Sequence, residues 1–239
     1  MRSGSFAFLA PLAVLLAVPS VAWADEGAAR FVHAPPAPIP AGIATYGPFR
    51  VIDARRAALI DVTDERSPAQ FAAMLQAFPQ LAVIEMLDCP GTYDDEANLR
   101  LGRMIRAAHL ATHVPNGGSV RSGGVELFLA GTRRMVDDGA EFAVHAWEDE
   151  DGGEAADYAA DAQENLKYLI YYREMGMDAP TAQAFYAMTN SVPFADARWF
   201  GAGEMRHWLG QAATPAPDRD VPAATVPALA YLDLAAGVN

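Results

Sequence analysis

The stretch Ser122-Gly123-Gly124-Val125-Glu126-Leu127-Phe128-Leu129-Ala130-Gly131 decides how this chain is organised. Polar and small at its start and apolar from Leu127 on, it predicts a helix that begins near Ser122. Short strand patterns stand on either side. Ala111–Val114 precedes it, separated by the loop Pro115-Asn116-Gly117-Gly118, and Arg133–Val136 and Phe142–Ala146 follow. Strand, loop, helix and strand in this order are the parts of a βαβ unit.

Working toward the N-terminus, the same alternation recurs. Asp94 to Ala108 reads as a helix, acidic at its start and basic later, which suits the helix dipole. Before it, the turn Asp88-Cys89-Pro90-Gly91-Thr92 follows Leu81–Leu87, an almost continuous apolar run that fits a strand buried on both faces. Ser67-Pro68 opens an earlier helix whose Phe71, Met74, Leu75 and Phe78 recur at helical spacing. A pair of strands, Phe49–Asp53 and Ala57–Val62, comes first. The fold class is therefore α/β, with stacked strand–helix units and a largely parallel sheet. Past Trp147 the character changes: an acidic loop, Glu148–Gly153, leads into helices over about Ala155–Met175, Ala179–Thr189 and Gly203–Leu209.

The ends of the chain differ from its middle. Arg2, the apolar run from Phe6 to Val18 and the small-x-small site Ala22-Trp23-Ala24 read as a cleavable signal peptide over 1–24. That run is shorter than a membrane-spanning helix requires. Residues 25–47, rich in Ala and Pro, read as an extended leader, 48–210 as one domain, and 211–239 as a second Ala/Pro-rich tail. The expected location is outside the cytoplasm, periplasmic or secreted, with no membrane span in the mature chain.

The formal net charge is −13, and removal of Arg2 with the signal takes it to −14. With no basic cluster, nucleic acid and anionic lipid are poor partners. The single cysteine, Cys89, excludes an internal disulfide and reads as a partly buried structural thiol. Five scattered histidines and one cysteine offer no metal-ligand spacing. No cofactor is implied.

The order of elements and five local patterns resemble the Clp protease/crotonase superfamily over about residues 55–210, and most closely its exported serine-protease-like branch. Cys89-Pro90-Gly91-Thr92 stands where that family has Ser-Pro-Gly-Gly, and Ser122-Gly123-Gly124 where it sets a nucleophilic serine at the start of a buried helix. His145 lies 23 residues after Ser122, at the position of the family's general base. Glu164 to Met175 resembles the helix that projects from the protease and joins its subunits. Asp196, 51 residues after His145, precedes Trp199-Phe200-Gly201-Ala202-Gly203-Glu204-Met205, which is similar to the segment carrying the aspartate that orients the histidine.

The resemblance implies a fold of stacked ββα units with a helical C-terminal part. It also implies a Ser122–His145–Asp196 triad, with the Thr92 and Gly123 amides forming an oxyanion hole. Free N–H groups and the dipole at a helix start stabilise charge developing on a carbonyl oxygen, and a serine hydroxyl needs an adjacent base. The sequence departs from the family at Thr92, Arg121 and Gly124, each of which replaces a residue of different size. Each candidate also has a plainer role. Ser122 caps the helix whether or not it reacts, His145 suits a core position, Asp196 suits the surface, and Asn190 is a weaker stand-in for it. The tyrosine-rich helix packs either on a second subunit, giving a homo-oligomer, or on the chain's own core.

Three functions follow. The first is an exported serine hydrolase acting on a peptide or another acyl compound, with no ATPase partner expected in a compartment without ATP. The second is a non-catalytic exported binding or scaffold protein that keeps the fold. The third, crotonase-type acyl-CoA chemistry, fits an exported protein poorly.

Overall fold

The structure, a computed structural model, describes residues 34–211. The signal peptide, the first part of the leader (25–33) and nearly all of the tail expected from the sequence lie outside the described residues. None of the described helices is long and apolar enough to cross a membrane.

Two sheets carry the fold. The first comprises β1 (Ala44–Tyr46), β2 (Phe49–Val51), β3 (Arg56–Leu59), β4 (Val83–Met86), β6 (Ala111–Val114) and β8 (Arg134–Val136), in that spatial order. The second comprises β10 (Arg198–Gly201), β9 (Glu141–Val144), β7 (Ser119–Arg121) and β5 (Asp88–Cys89), again in spatial order. The chain visits the first sheet, steps to the second, then runs into a helix. Thus β4 and β5 lead to α2 (Asp95–Ala107), and β6 and β7 lead to α3 (Gly123–Leu129). The steps are parallel from β3 to β8 in the first sheet and from β5 to β9 in the second. Antiparallel pairs are confined to the edges, at β1–β2–β3 and β9–β10. This is the stacked ββα architecture expected from the sequence.

Local chemistry explains the elements. Asp94 caps α2 by accepting from the Ala97 N–H at 2.9 Å, with Asp95 and Glu96 in the first turn and Arg106 in the last. Helix α1 (Ser67–Ala77) begins at Ser67-Pro68, but Ser67 caps nothing. Its buried hydroxyl instead bonds Asp64, accepting from the Asp64 N–H and donating to the carboxylate. Helix α3 is buried along its whole length, between the two sheets and the helices that follow.

Four departures from the sequence reading have simple causes. The apolar run Leu81–Leu87 is not one strand. It ends in the first sheet at Met86, and Asp88-Cys89 pairs in the second, so a continuous hydrophobic pattern hides a change of sheet. Strands β7 and β10 are three and four residues long, too short for a periodic signal, and β1 falls inside the stretch read as leader. The long helix expected over Ala155–Met175 is a 3₁₀ turn at Ala155–Asp157 followed by α4 (Gln163–Glu174). The acidic loop before it is organised by Asp149, whose carboxylate accepts from the N–H groups of Asp151 and Gly153 and from Tyr158.

Helix α4 turns Tyr168, Tyr171 and Tyr172 into the chain's own core, where Tyr172 packs on Phe185 of α5 (Ala179–Thr189). Of the two packings left open by the sequence, these three tyrosines take the one on the chain's own core. The chain ends its described part with α6 (Ala202–Trp208), beside β8 and β9.

Candidate active site

Strands β5, β7 and β9 are parallel neighbours, so their C-terminal ends lie side by side. The registers Cys89↔Val120 and Arg121↔Ala143 fix what comes next. Past β5 the chain turns through Gly91 and Thr92, past β7 it reaches Ser122, and past β9 it reaches His145. Neighbouring strands are roughly 4.8 Å apart, so residues distant in sequence meet at one rim. Thr92, Ser122, Gly123 and His145 all line one cavity of about 630 Å³ there.

Ser122 occupies the sharp turn between β7 and α3. Its N–H donates to the Ala143 carbonyl at 2.8 Å, extending the β7–β9 ladder by one residue. Its φ of 48° and ψ of −130° lie where a residue with a Cβ is strained. The strand-to-helix elbow that lifts a nucleophilic serine clear of a sheet has this character. Ser122 does not cap α3 with its side chain, so the plainer role suggested by the sequence is not the one it takes. Gly91, at φ 136°, gives the hydroxyl its room, because a Cβ there would stand 3.0 Å from the Ser122 Cβ.

Two N–H groups border the hydroxyl. Among the described residues, neither the Thr92 N–H nor the Gly123 N–H has an acceptor. They are close neighbours, for a Cβ on Gly123 would lie 2.7 Å from the Thr92 Cγ2. Thr92 replaces a glycine of the resembled motif without strain, since its φ is not positive. Its hydroxyl is tied to the Thr63 carbonyl and to the Asp94 backbone. Asn98, 2 % exposed, braces both elements. Its side chain accepts from the Thr63 hydroxyl at 2.9 Å and donates to the Gly123 carbonyl at 2.7 Å. Sequence reasoning missed Asn98, which lies one turn into α2 and carries no motif.

The other departures leave the cavity open. Arg121 does not line it; the guanidinium bonds Asp88 at 3.0 Å and the Ser119 hydroxyl at 3.2 Å. At Gly124 a Cβ would meet the Cys89 carbonyl oxygen at 3.2 Å, so glycine lets α3 start against β5. Cys89 itself is 1 % exposed, and burial pushes its thiol far above the ordinary range, as suits a packing residue.

His145 is half-buried, edge-on to Phe194 with ring centres 4.8 Å apart. Its Nδ1 lies 2.7 Å from the Ala146 carbonyl oxygen. A carbonyl only accepts, so Nδ1 carries the proton and Nε2 is left as the basic nitrogen. Asp196 is not the group that orients this ring. It sits in an exposed turn closed by its own N–H to the Pro193 carbonyl, and it does not line the cavity. The β9–β10 pairing starts at Val144↔Arg198, and the segment before it meets the histidine through Val192, whose carbonyl accepts from the Ala146 N–H at 2.9 Å, and through Phe194, rather than through Asp196. Asn190 does line the cavity, but its amide donates to Tyr186 and Thr189, and its Oδ1 has no donor. Among the described residues Ser122 and His145 make no direct hydrogen bond.

The cavity holds one more ionisable group that the sequence reading did not single out. Glu126, one helical turn from Ser122, is 7 % exposed and accepts from the Tyr172 hydroxyl at 2.7 Å. Burial raises its pKa to about 7, opposed by the Tyr172 hydrogen bond and helped by the nearby Asp95. It was legible only as part of an apolar helix. Among the described residues no three His, Cys, Asp or Glu side chains are grouped to hold a metal.

No family model matches the sequence, and no curated protein does. Solved structures do match. A ClpP1 point mutant from Listeria monocytogenes aligns with 65 % of this chain and 88 % of its own, at 15 % identity and a TM-score of 0.47. A mutant of 1510-N, a membrane-bound stomatin-specific protease in complex with a substrate peptide, aligns with 62 % of this chain and 71 % of its own, at 14 % identity and a TM-score of 0.42. Both scores lie below one half, and the reading of the site rests on its own geometry.

Proposed function

We propose that the protein is an exported serine hydrolase of the Clp protease/crotonase type, peptidase-like, acting in the periplasm or outside the cell. What supports this above all is one convergence. A strained serine, a histidine in the basic tautomer and two acceptor-free N–H groups meet at one cavity, on the ends of three adjacent parallel strands.

In this reading the Ser122 Oγ attacks the carbonyl carbon of a peptide or other acyl substrate while His145 Nε2 takes its proton. The carbonyl oxygen becomes an oxyanion between the Thr92 and Gly123 N–H groups, each such donor being worth about 3 kcal/mol in the transition state. Collapse expels the amine or alcohol, which takes the proton from His145. Water then repeats the sequence on the acyl-serine, again through Nε2. The Ala146 carbonyl holds the ring in its tautomer but adds no negative charge to balance the imidazolium, so a slower hydrolase than a full triad is expected.

The test is labelling of the folded protein with a fluorophosphonate probe. Labelling of the wild type, lost in Ser122→Ala and in His145→Ala, is the expected result. A folded wild type that does not label overturns the reading. The second reading, a binding protein without catalysis, is favoured by the lack of a carboxylate on His145 and of a Ser122–His145 hydrogen bond. An absence of labelling selects it.

A further inference from the structure

The cavity beside Ser122 has a pronounced sign. Seven carboxylates line it, against one lysine, Lys167, and His145. Some of the seven serve the fold, as Asp94 does at the cap of α2, Asp95 in accepting from Tyr168 and Asp149 in its loop. Glu148 and Glu150, at the rim, have no basic partner among the described residues.

Glu126 is the feature that turns a charged rim into a recognition site. It is nine-tenths buried on α3, and its Oε1 accepts from the Tyr172 hydroxyl. Its Oε2 bonds no other side chain among the described residues, and Glu126 lines the cavity. Glu126 lies four residues past Ser122, the N-cap of the same helix, so the two positions are about one helical turn apart and both line the cavity.

The cavity already holds a cation. The Lys167 ammonium lies 5.6 Å from the ring centre of Trp147 and 5.2 Å from that of Tyr168, and these two rings are stacked 6.2 Å apart. Aromatic faces at this distance attract a cation, and more strongly when water is excluded. All three residues line the same cavity as Glu126.

We propose that this cavity selects substrates with a cationic group, an ammonium or guanidinium like that of lysine or arginine, and that Glu126 is its anchor. The inference rests on the hydrolase reading only for where the scissile bond lies; the recognition of the cation stands without it. The Glu126 Oε2 accepts from the cation's N–H groups, the rim carboxylates draw it in, and Trp147 and Tyr168 flank it. A cavity of this size holds one such side chain and its immediate neighbours.

The probes are benzamidine and its neutral isostere benzamide, titrated calorimetrically into the full-length processed protein at low ionic strength. Benzamidine is expected to bind at least tenfold more tightly than benzamide in the wild type. Glu126→Gln, with its fold checked by circular dichroism, is expected to lose most of that preference. Lys167→Met, which removes the resident cation, is expected to raise benzamidine affinity. Equal binding of the two probes by the wild type overturns the proposal without recourse to any variant. A preference undiminished in folded Glu126→Gln removes Glu126 as the anchor, and an affinity that stays or falls in Lys167→Met removes the aromatic wall. Fluorophosphonate labelling, measured in parallel, separates the two ideas. Discrimination without labelling leaves the cation site standing and removes hydrolysis, and labelling without discrimination does the reverse.

Discussion

Glu126→Gln has a second consequence, in the pH dependence of stability. The carboxyl is 7 % exposed, and its pKa moves from an ordinary 4.5 to about 7, chiefly through burial. A carboxyl whose pKa is higher folded than unfolded binds more protons in the folded state between those two values. Stability therefore falls as pH rises through that window and levels off above it. A shift of this size corresponds to about 3 kcal/mol lost between pH 4.5 and pH 8, a large part of the stability of a domain this size. Glutamine keeps an amide oxygen to accept from the Tyr172 hydroxyl, cannot ionise and has nearly the same volume. Urea unfolding of wild type and variant at half-unit steps from pH 4 to 8.5 isolates the term, because every other titrating group cancels in the difference. The variant is expected to be equal or slightly weaker at pH 4 and to gain on the wild type by about 2–3 kcal/mol at pH 8. A difference that stays flat across this range refutes the reasoning, since it means Glu126 ionises as easily folded as unfolded.

Three further outcomes follow from the same geometry. Ser122→Gly and Ser122→Ala are both expected to abolish fluorophosphonate labelling, but glycine at φ 48° relieves strain that alanine retains, so in thermal melts Ser122→Gly is the more stable of the two by about 1 kcal/mol; equal stability disproves the strain. Asp196→Asn is expected to leave labelling within twofold of wild type, and a tenfold loss places the aspartate in the site after all. His113 lies between Glu85 at 2.6 Å and Asp137 at 3.1 Å, and the hydrogen bond to Glu85, ahead of the one to Asp137, raises its pKa despite partial burial. Its contribution is thus fully present below the unfolded value near 6.5 and fades as pH rises through the higher folded value. The stability gap between wild type and His113→Gln is expected to be widest below pH 6 and to narrow in alkali; a gap that widens with pH contradicts the assignment.

What was legible in the chain follows from the length of each signal. Helix α2 announced itself through Asp94 and a charge gradient over thirteen residues, and α5 through Asp178 followed by Pro180. Ser122 and His145 were singled out by the resemblance, and the structure brings both to one cavity. The partners of His113 were not, although Glu85 and His113 are directly opposite in parallel strands. That pairing depends on register across 28 residues, which no window along the sequence contains. Glu126 was hidden for a related reason. In a run of Val, Leu and Phe one glutamate looks like a polar residue facing out, and only Tyr172, 46 residues on, shows that it faces in. Asp196 was expected from the resemblance and its spacing, but the loop between α5 and β10 reaches His145 with Phe194 and leaves Asp196 in an exposed turn.

On the proposed hydrolase reading, the three departures from the resembled motifs matter less than they suggest in the linear sequence. In a parallel sheet the residues at successive strand ends contribute backbone amides at the rim, while their side chains point to whichever face the pleat assigns. Thr92 supplies an N–H and sends its hydroxyl to Thr63 and Asp94, away from that N–H. Arg121 sends its guanidinium to Asp88 and Ser119, outside the cavity. An oxyanion hole made of backbone is thus indifferent to these side chains so long as φ and the free N–H survive. The orienting group is different, because it acts through its own charge. Replacing a carboxylate by the Ala146 carbonyl keeps the tautomer and gives up the counter-charge. On the proposed hydrolase reading, the strand ends bring the groups of acyl transfer to one cavity, and the departure from a full triad is that no carboxylate among the described residues bonds His145.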